Sequence, residues 1–293
     1  MKLKPWTIIH QAISIYRSNF RQFFTLSLYA TTWFIIANLT WFLFIAAIIA
    51  IPLFGLIILT YVPQSLSGHN NVSILFGAVV SVLALLALSI YSSAQGLLQE
   101  AIIGNMAYQY IIGQPILIKT AFQQNRRYLW QFWLAQFFIN IPLYAIELLS
   151  NSTGLLIVIL GILLSIWIAG KSFLANIFIT VNGCTVREAL RMSKQQSKPH
   201  MLQIFLILLS TSVLAIPLGL LGFSPAIFVW FSEWQNQTDS MPNFEPISHL
   251  IQSLGLSIIL ITMLLSLIAP LLQSIKAVIY TQIIPLSNSA IAK

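Results

Sequence analysis

TVREALRMSKQQSKPHMLQIFLILLSTSVLAIPLGLLG, residues 185–222, joins two kinds of segment end to end. In the first, Arg187, Arg191, Lys194 and Lys198 recur at helical spacing and form one basic stripe. Thr185 and Glu188 supply the T-x-x-E pattern of a capping box, which predicts a helix start there. After Pro199 the chain runs to Gly222 with no Asp, Glu, Lys or Arg. About 20 apolar residues suffice to cross the hydrocarbon of a bilayer as a helix. A basic amphipathic helix that feeds an apolar span is therefore the unit from which the fold is read.

The rest of the chain repeats both halves of that unit. Of its 293 residues 58% are hydrophobic and 7% charged, whereas a soluble domain carries about 25% charged residues. Lipid must cover what charge does not. Apolar spans are expected at 24–50, 73–98, 128–149, 154–172, 200–222 and 250–272. Segment 51–62 is apolar enough to be a seventh, but a crossing there would put Lys119, Arg126 and Arg127 on the other side. It is read instead as a continuation past Pro52 or as an interfacial stretch. With six crossings, all fourteen Lys and Arg fall on one side together with Glu100 and Glu188, while Glu147, Glu233, Asp239 and Glu245 lie opposite. Basic residues resist translocation, so both termini are expected in the cytoplasm. The formal charge of +8 follows from this topology and does not call for a nucleic-acid partner. Cys184 is the only cysteine, which rules out an intrachain disulfide.

Three copies of the unit are legible, at 5–112, 113–182 and 183–285 within a single domain of residues 1–293. Aligning Ala12, Ala121 and Ala189 puts Arg17, Arg126 and Lys194 five residues later in each. Each first span then carries Ile-Pro-Leu, at Ile51-Pro52-Leu53, Ile141-Pro142-Leu143 and Ile216-Pro217-Leu218. Leu97-Leu98-Gln99 and Leu271-Leu272-Gln273 match in the second spans. The common order points to descent from one hairpin. The leading basic helices are expected to lie flat at the interface with their apolar faces towards lipid.

Chemistry has few places to reside. The basic stripes, Arg17, Arg21, Arg126, Arg127, Arg187, Arg191, Lys194 and Lys198, are candidate contacts for anionic head groups. Their bland use is to anchor topology. Glu100, Lys171 and Lys276 are the ionisable residues nearest the bilayer interior, and a Glu100–Lys171 pair between helices is one arrangement they allow. His10, His69, His200 and His249 all lie near span ends or in loops. No phosphate-binding loop, metal-ligand spacing or hydrolase motif occurs, so neither enzyme activity nor a cofactor is expected. The far loop before the last span holds Asp239 amid Trp230, Trp234 and Phe244, the residue types of an interfacial aromatic belt.

Gly183-Cys-Thr-Val-Arg-Glu-Ala-Leu-Arg-Met-Ser193 and the closing Ile275-Lys276-Ala277-Val278-Ile279-Tyr280 resemble segments of the membrane domain found beside some bacterial glycerophosphodiester phosphodiesterases and of its stand-alone relatives. The catalytic barrel is missing, so what the resemblance implies is a six-helix membrane module without phosphodiesterase activity. The chain is accordingly expected to be an all-α integral membrane bundle of six transmembrane helices in three hairpins. It would sit in a bacterial-type plasma membrane or an internal membrane such as a thylakoid. The leading expectation is a non-enzymatic accessory, scaffold or assembly subunit, or a lipid-interacting protein. Its partners would be membrane lipids, anionic ones included, a larger membrane complex or further copies of itself. The alternative is a transporter or lipid-translocating protein with a polar site near Glu100 and Lys171.

Overall fold

A computed structural model describes residues 4–61, 70–114, 118–150, 164, 167–168, 170–236 and 245–284. Among these residues the fold is all helical. The helices are α1 (Pro5–Ser18), α2 (Phe20–Tyr61), α3 (Asn70–Ile111), α4 (Ile118–Arg126), α5 (Leu129–Ser150), α6 (Ala175–Asn182), α7 (Val186–Ser197), α8 (Met201–Asn236) and α9 (Glu245–Ile283). Three stretches of the described chain are long and apolar enough to cross a membrane: Phe20–Leu53, Phe76–Ile111 and Leu256–Ile283. They make the protein membrane-embedded. Most of the expected span 154–172 and the loop residues 237–244, with Asp239 and Phe244, lie outside the described residues.

Local sequence accounts for the breaks. Pro5 opens α1, where its missing amide costs nothing, and Asn19 closes it by donating from its side-chain amide to the Ile15 carbonyl at 3.2 Å. Gly183 ends α6 in the left-handed region at φ +66°, which an L side chain adopts only with strain. In the capping box of α7, Glu188 Oε2 accepts from the Thr185 hydroxyl at 2.9 Å and the Thr185 amide at 3.1 Å. Segment 51–62 proves to continue α2 through Pro52 as far as Tyr61.

Helix length changes the expected picture. α2 and α3 each have 42 residues, about 63 Å at 1.5 Å per residue, twice the hydrocarbon thickness of about 30 Å. The two run antiparallel, since Ala37 meets Ser89 through a 3.0 Å hydrogen bond and the earlier Phe34 meets the later Gly96. The surplus of α2 lies past Pro52, away from the basic helices, whereas at the basic end the C-terminal parts of α3 and α9 build a core of their own. Its centre is Tyr280, 1% exposed, edge-on to Tyr108 of α3 and to Phe178 of α6. Around it Ala12 of α1, Ala121 of α4 and Ala189 of α7, the residues aligned by the repeat, are all fully buried.

That burial corrects one expectation. The apolar faces of the basic helices are covered by protein rather than turned to lipid, because the protruding helix ends offer them a protein surface. α1 rests on α9, with Ile8, Ala12 and Ile15 in the core and Gln11 accepting from Gln282 at 3.2 Å. Its outward face still exposes Trp6 and Ile13. Farther from the core, the large side chains of the spans, Phe42, Leu53, Phe76 and Leu83 among them, are mostly exposed, as lipid-facing residues must be.

Candidate functional site

Where α3, α5, α6, α8 and α9 come together they leave a pocket of about 270 Å³. Glu100 enters it from α3, Gln136 from α5, Asn176 from α6, and Gln273 and Lys276 from α9. Ser172, just before α6, adds a hydroxyl. Ile139, Phe173, Leu208 and Leu272 supply apolar wall. One carboxylate, one ammonium and three amides thus share a space inside an apolar bundle.

Each polar group is held by its helix and its neighbours. Gln273 Nε2 donates to Glu100 Oε2 at 2.9 Å. Lys276 is the cation whose field acts on Glu100, and its Nζ lies 5.4 Å from the centre of the Phe173 ring. Gln136 donates to Asn140 Oδ1 at 2.9 Å, one turn along α5. Gly104 brings α3 close to its neighbours, so that a Cβ there would stand 3.8 Å from Gln273 Oε1. Pro270 interrupts the backbone ladder of α9 beside the pocket wall, and Ser274 ties the Pro270 carbonyl at 2.9 Å. An isolated charge would be expensive in such surroundings. Opposite charges with amide partners make the site tenable.

The three ionisable residues expected nearest the bilayer interior do not come together. Glu100 and Lys276 share the pocket, but Lys171 does not reach it. Lys171 Nζ instead lies over the Trp167 ring, 2.9 Å from its centre, and its charged neighbours are Lys194 and Lys198. No Glu100–Lys171 pair forms because α3 packs on α9, whereas the chain after Lys171 turns towards α7. Arg17, Arg21, Arg126, Arg127, Arg187, Arg191, Lys194 and Lys198 are all exposed. Gln136, Asn176 and Gln273 escaped the sequence reading, although the Leu-Leu-Gln match had placed Gln273 in register with Gln99, another buried amide.

Other reactive groups are quiet. Burial and the neighbouring Glu188 carboxylate push the Cys184 thiol up from its ordinary range, which keeps it protonated at neutral pH. Among the described residues no group of His, Cys, Asp and Glu is arranged to hold a metal ion. No protein-family profile, curated protein or solved structure matches the chain.

Proposed function

We propose that this chain is an integral membrane carrier whose central pocket holds a small zwitterionic group. In this reading the chain crosses six times as three hairpins, with both termini in the cytoplasm of a bacterial-type cell. The observation that carries it is the pocket itself, which gathers Glu100, Lys276 and three amides from four helices. A ligand with both charges would set its anionic part against Lys276 and its cationic part against Glu100. Its hydrogen bonds would go to Gln136, Asn176 and Gln273. The volume lies just under the span of about 300–1,000 Å³ usual for drug-sized ligands, which suits a small solute or a head group. An amino-acid-like solute and the head group of phosphatidylethanolamine present the same chemistry.

Proteoliposomes separate the two sources. One arm measures uptake of radiolabelled amino acids, the other the transbilayer movement of acyl-labelled phosphatidylethanolamine. Wild-type protein should be active in one arm, with Glu100→Gln and Lys276→Gln each lowering that flux at least about tenfold, the loss of about one charged hydrogen bond. Silence in both arms, or unchanged flux in both variants, rejects the carrier reading.

A second reading, as the accessory subunit of a complex, is favoured by the exposed apolar length of α2 and α3, which a partner's helices could cover as well as lipid. Native mass of the gently solubilised protein tests it. A stable assembly with another protein supports the subunit role, and a lone chain returns α2 and α3 to lipid. The resemblance to phosphodiesterase-associated membrane domains fits either reading, since it concerns architecture.

A further inference from the structure

We infer that Lys171, Lys194 and Lys198 form a binding site for the head group of an anionic phospholipid at the basic end of the bundle. The inference does not rest on the carrier reading, because these lysines lie outside the central pocket.

Convergence comes first. The fully buried Ser193 hydroxyl accepts from the Leu174 amide at 3.2 Å and donates to the Lys171 carbonyl at 2.9 Å. Those two bonds clamp α7 against the turn after Lys171. Lys194, the next residue, and Lys198, one turn further on, are thereby held beside Lys171. Lys194 of α7 and Lys198, which caps it, each act electrostatically on Lys171.

Lack of compensation comes second. Arg191 has Glu188 near enough to act on it. No acidic side chain among the described residues forms an ion pair with Lys171, Lys194 or Lys198. Two cations that repel a third are held beside it by the Ser193 clamp, and an anion between them would relieve that repulsion.

The surroundings decide which anion. Lys171 sits over Trp167, which is 46% exposed, and Leu164 is exposed one turn before it. On the other side Leu202 and Leu206 follow Lys198 at helical spacing, 72% and 44% exposed. The segments that carry the two strips adjoin, since a Cβ on Gly170 would lie 3.0 Å from Met201 Cε. Cations above paired apolar strips, with a Trp at the boundary, match a phosphate with acyl chains below it. A free phosphate has no use for the strips.

Native mass spectrometry of the full chain in neutral detergent provides the test, with phosphatidylglycerol and phosphatidylcholine of the same acyl chains as probes. Wild-type protein should retain phosphatidylglycerol about tenfold over phosphatidylcholine. The exposed pair Lys194→Gln/Lys198→Gln, which leaves the core untouched, should cut that preference to about twofold. Adding Lys171→Gln should abolish it, and Arg at all three positions should keep it. Lys4→Gln/Arg17→Gln/Arg21→Gln, at exposed positions in the first repeat, removes as much charge elsewhere and should leave the preference in place. The proposal fails if the preference survives the triple Gln variant, or if the control variant loses it equally. It also fails if excess inorganic phosphate removes the bound lipid, which would assign the site to a free anion.

Discussion

Glu188 illustrates how one carboxylate on this protein can govern an element. The Thr185 hydroxyl and the Thr185 amide both donate to it, and these two bonds, helped by Arg191, hold its carboxyl below the ordinary glutamate value of 4.5. The folded form therefore prefers the charged state more than the unfolded chain does. Stabilisation by the box is fully present above 4.5 and is lost as pH falls through the lowered folded value. Protection of the first-turn amides of α7, taken relative to the intrinsic exchange rate at each pH, should thus be full at neutral pH and fall as the solution is acidified below that point. Glu188→Gln should flatten this pH dependence, and Glu188→Ala should give low protection throughout. A pH profile of the same shape in the Gln variant would show that some other group controls the start of α7. The pocket charges differ in kind. Glu100 and Lys276 are held across helices by Gln273 and Phe173, so they report on packing and not on a local cap.

At the scale of elements, the junction between α6 and α7 is the most constrained turn. Gly183 ends α6 in the left-handed region, and a Cβ there would stand 2.9 Å from the Tyr128 hydroxyl. Gly183→Ala should cost about 1–2 kcal/mol from backbone strain and more from the collision. The thermal midpoint read from intrinsic fluorescence should fall, and Tyr128→Phe in the Ala background should restore only the collision part. An Ala variant as stable as the parent would mean that the turn adopts another conformation. Such elements were partly legible. The T-x-x-E pattern, the basic stripes and the apolar runs other than 154–172, which lies mostly outside the described residues, point to helices that are present. What periodicity cannot convey is where a helix stops being in lipid. The extra turns of α3 and α9 look like ordinary span ends in sequence, yet they bury Ala12, Ala121 and Ala189 against protein. Lys171 was misassigned for a related reason. Its depth along a span is readable, but its direction depends on the Ser193 clamp, a contact across 22 residues of chain.

At the scale of the molecule, the charge distribution and the packing lead to one consequence. The buried core lies at the end where α1, α4 and α7 gather, and those helices bring Arg17, Arg126, Arg187, Arg191, Lys194 and Lys198 to its surface. If that end faces the cytoplasm, a protein-rich cap covers the inner ends of helices whose outer halves stand in lipid. Cys184 is the only native thiol, so a Cys184→Ser chain offers a clean background for reporters. Single cysteines at Arg17, Arg127 and Lys194 should resist a membrane-impermeant maleimide in intact cells and react once the membrane is permeabilised. Cysteines at Glu147 and Asp239 should react in intact cells. In that orientation the cost of translocating several cations keeps the basic side inside, so replacing Lys119, Arg126 and Arg127 with Gln should loosen the middle hairpin first. In that variant position 147 should lose part of its labelling while positions 17 and 239 keep their own sides. Labelling of Arg17 and Lys194 positions from outside would invert the topology. Sidedness that differs between 17 and 194 would break the three-hairpin arrangement, because an odd number of crossings would then separate the first and third basic helices.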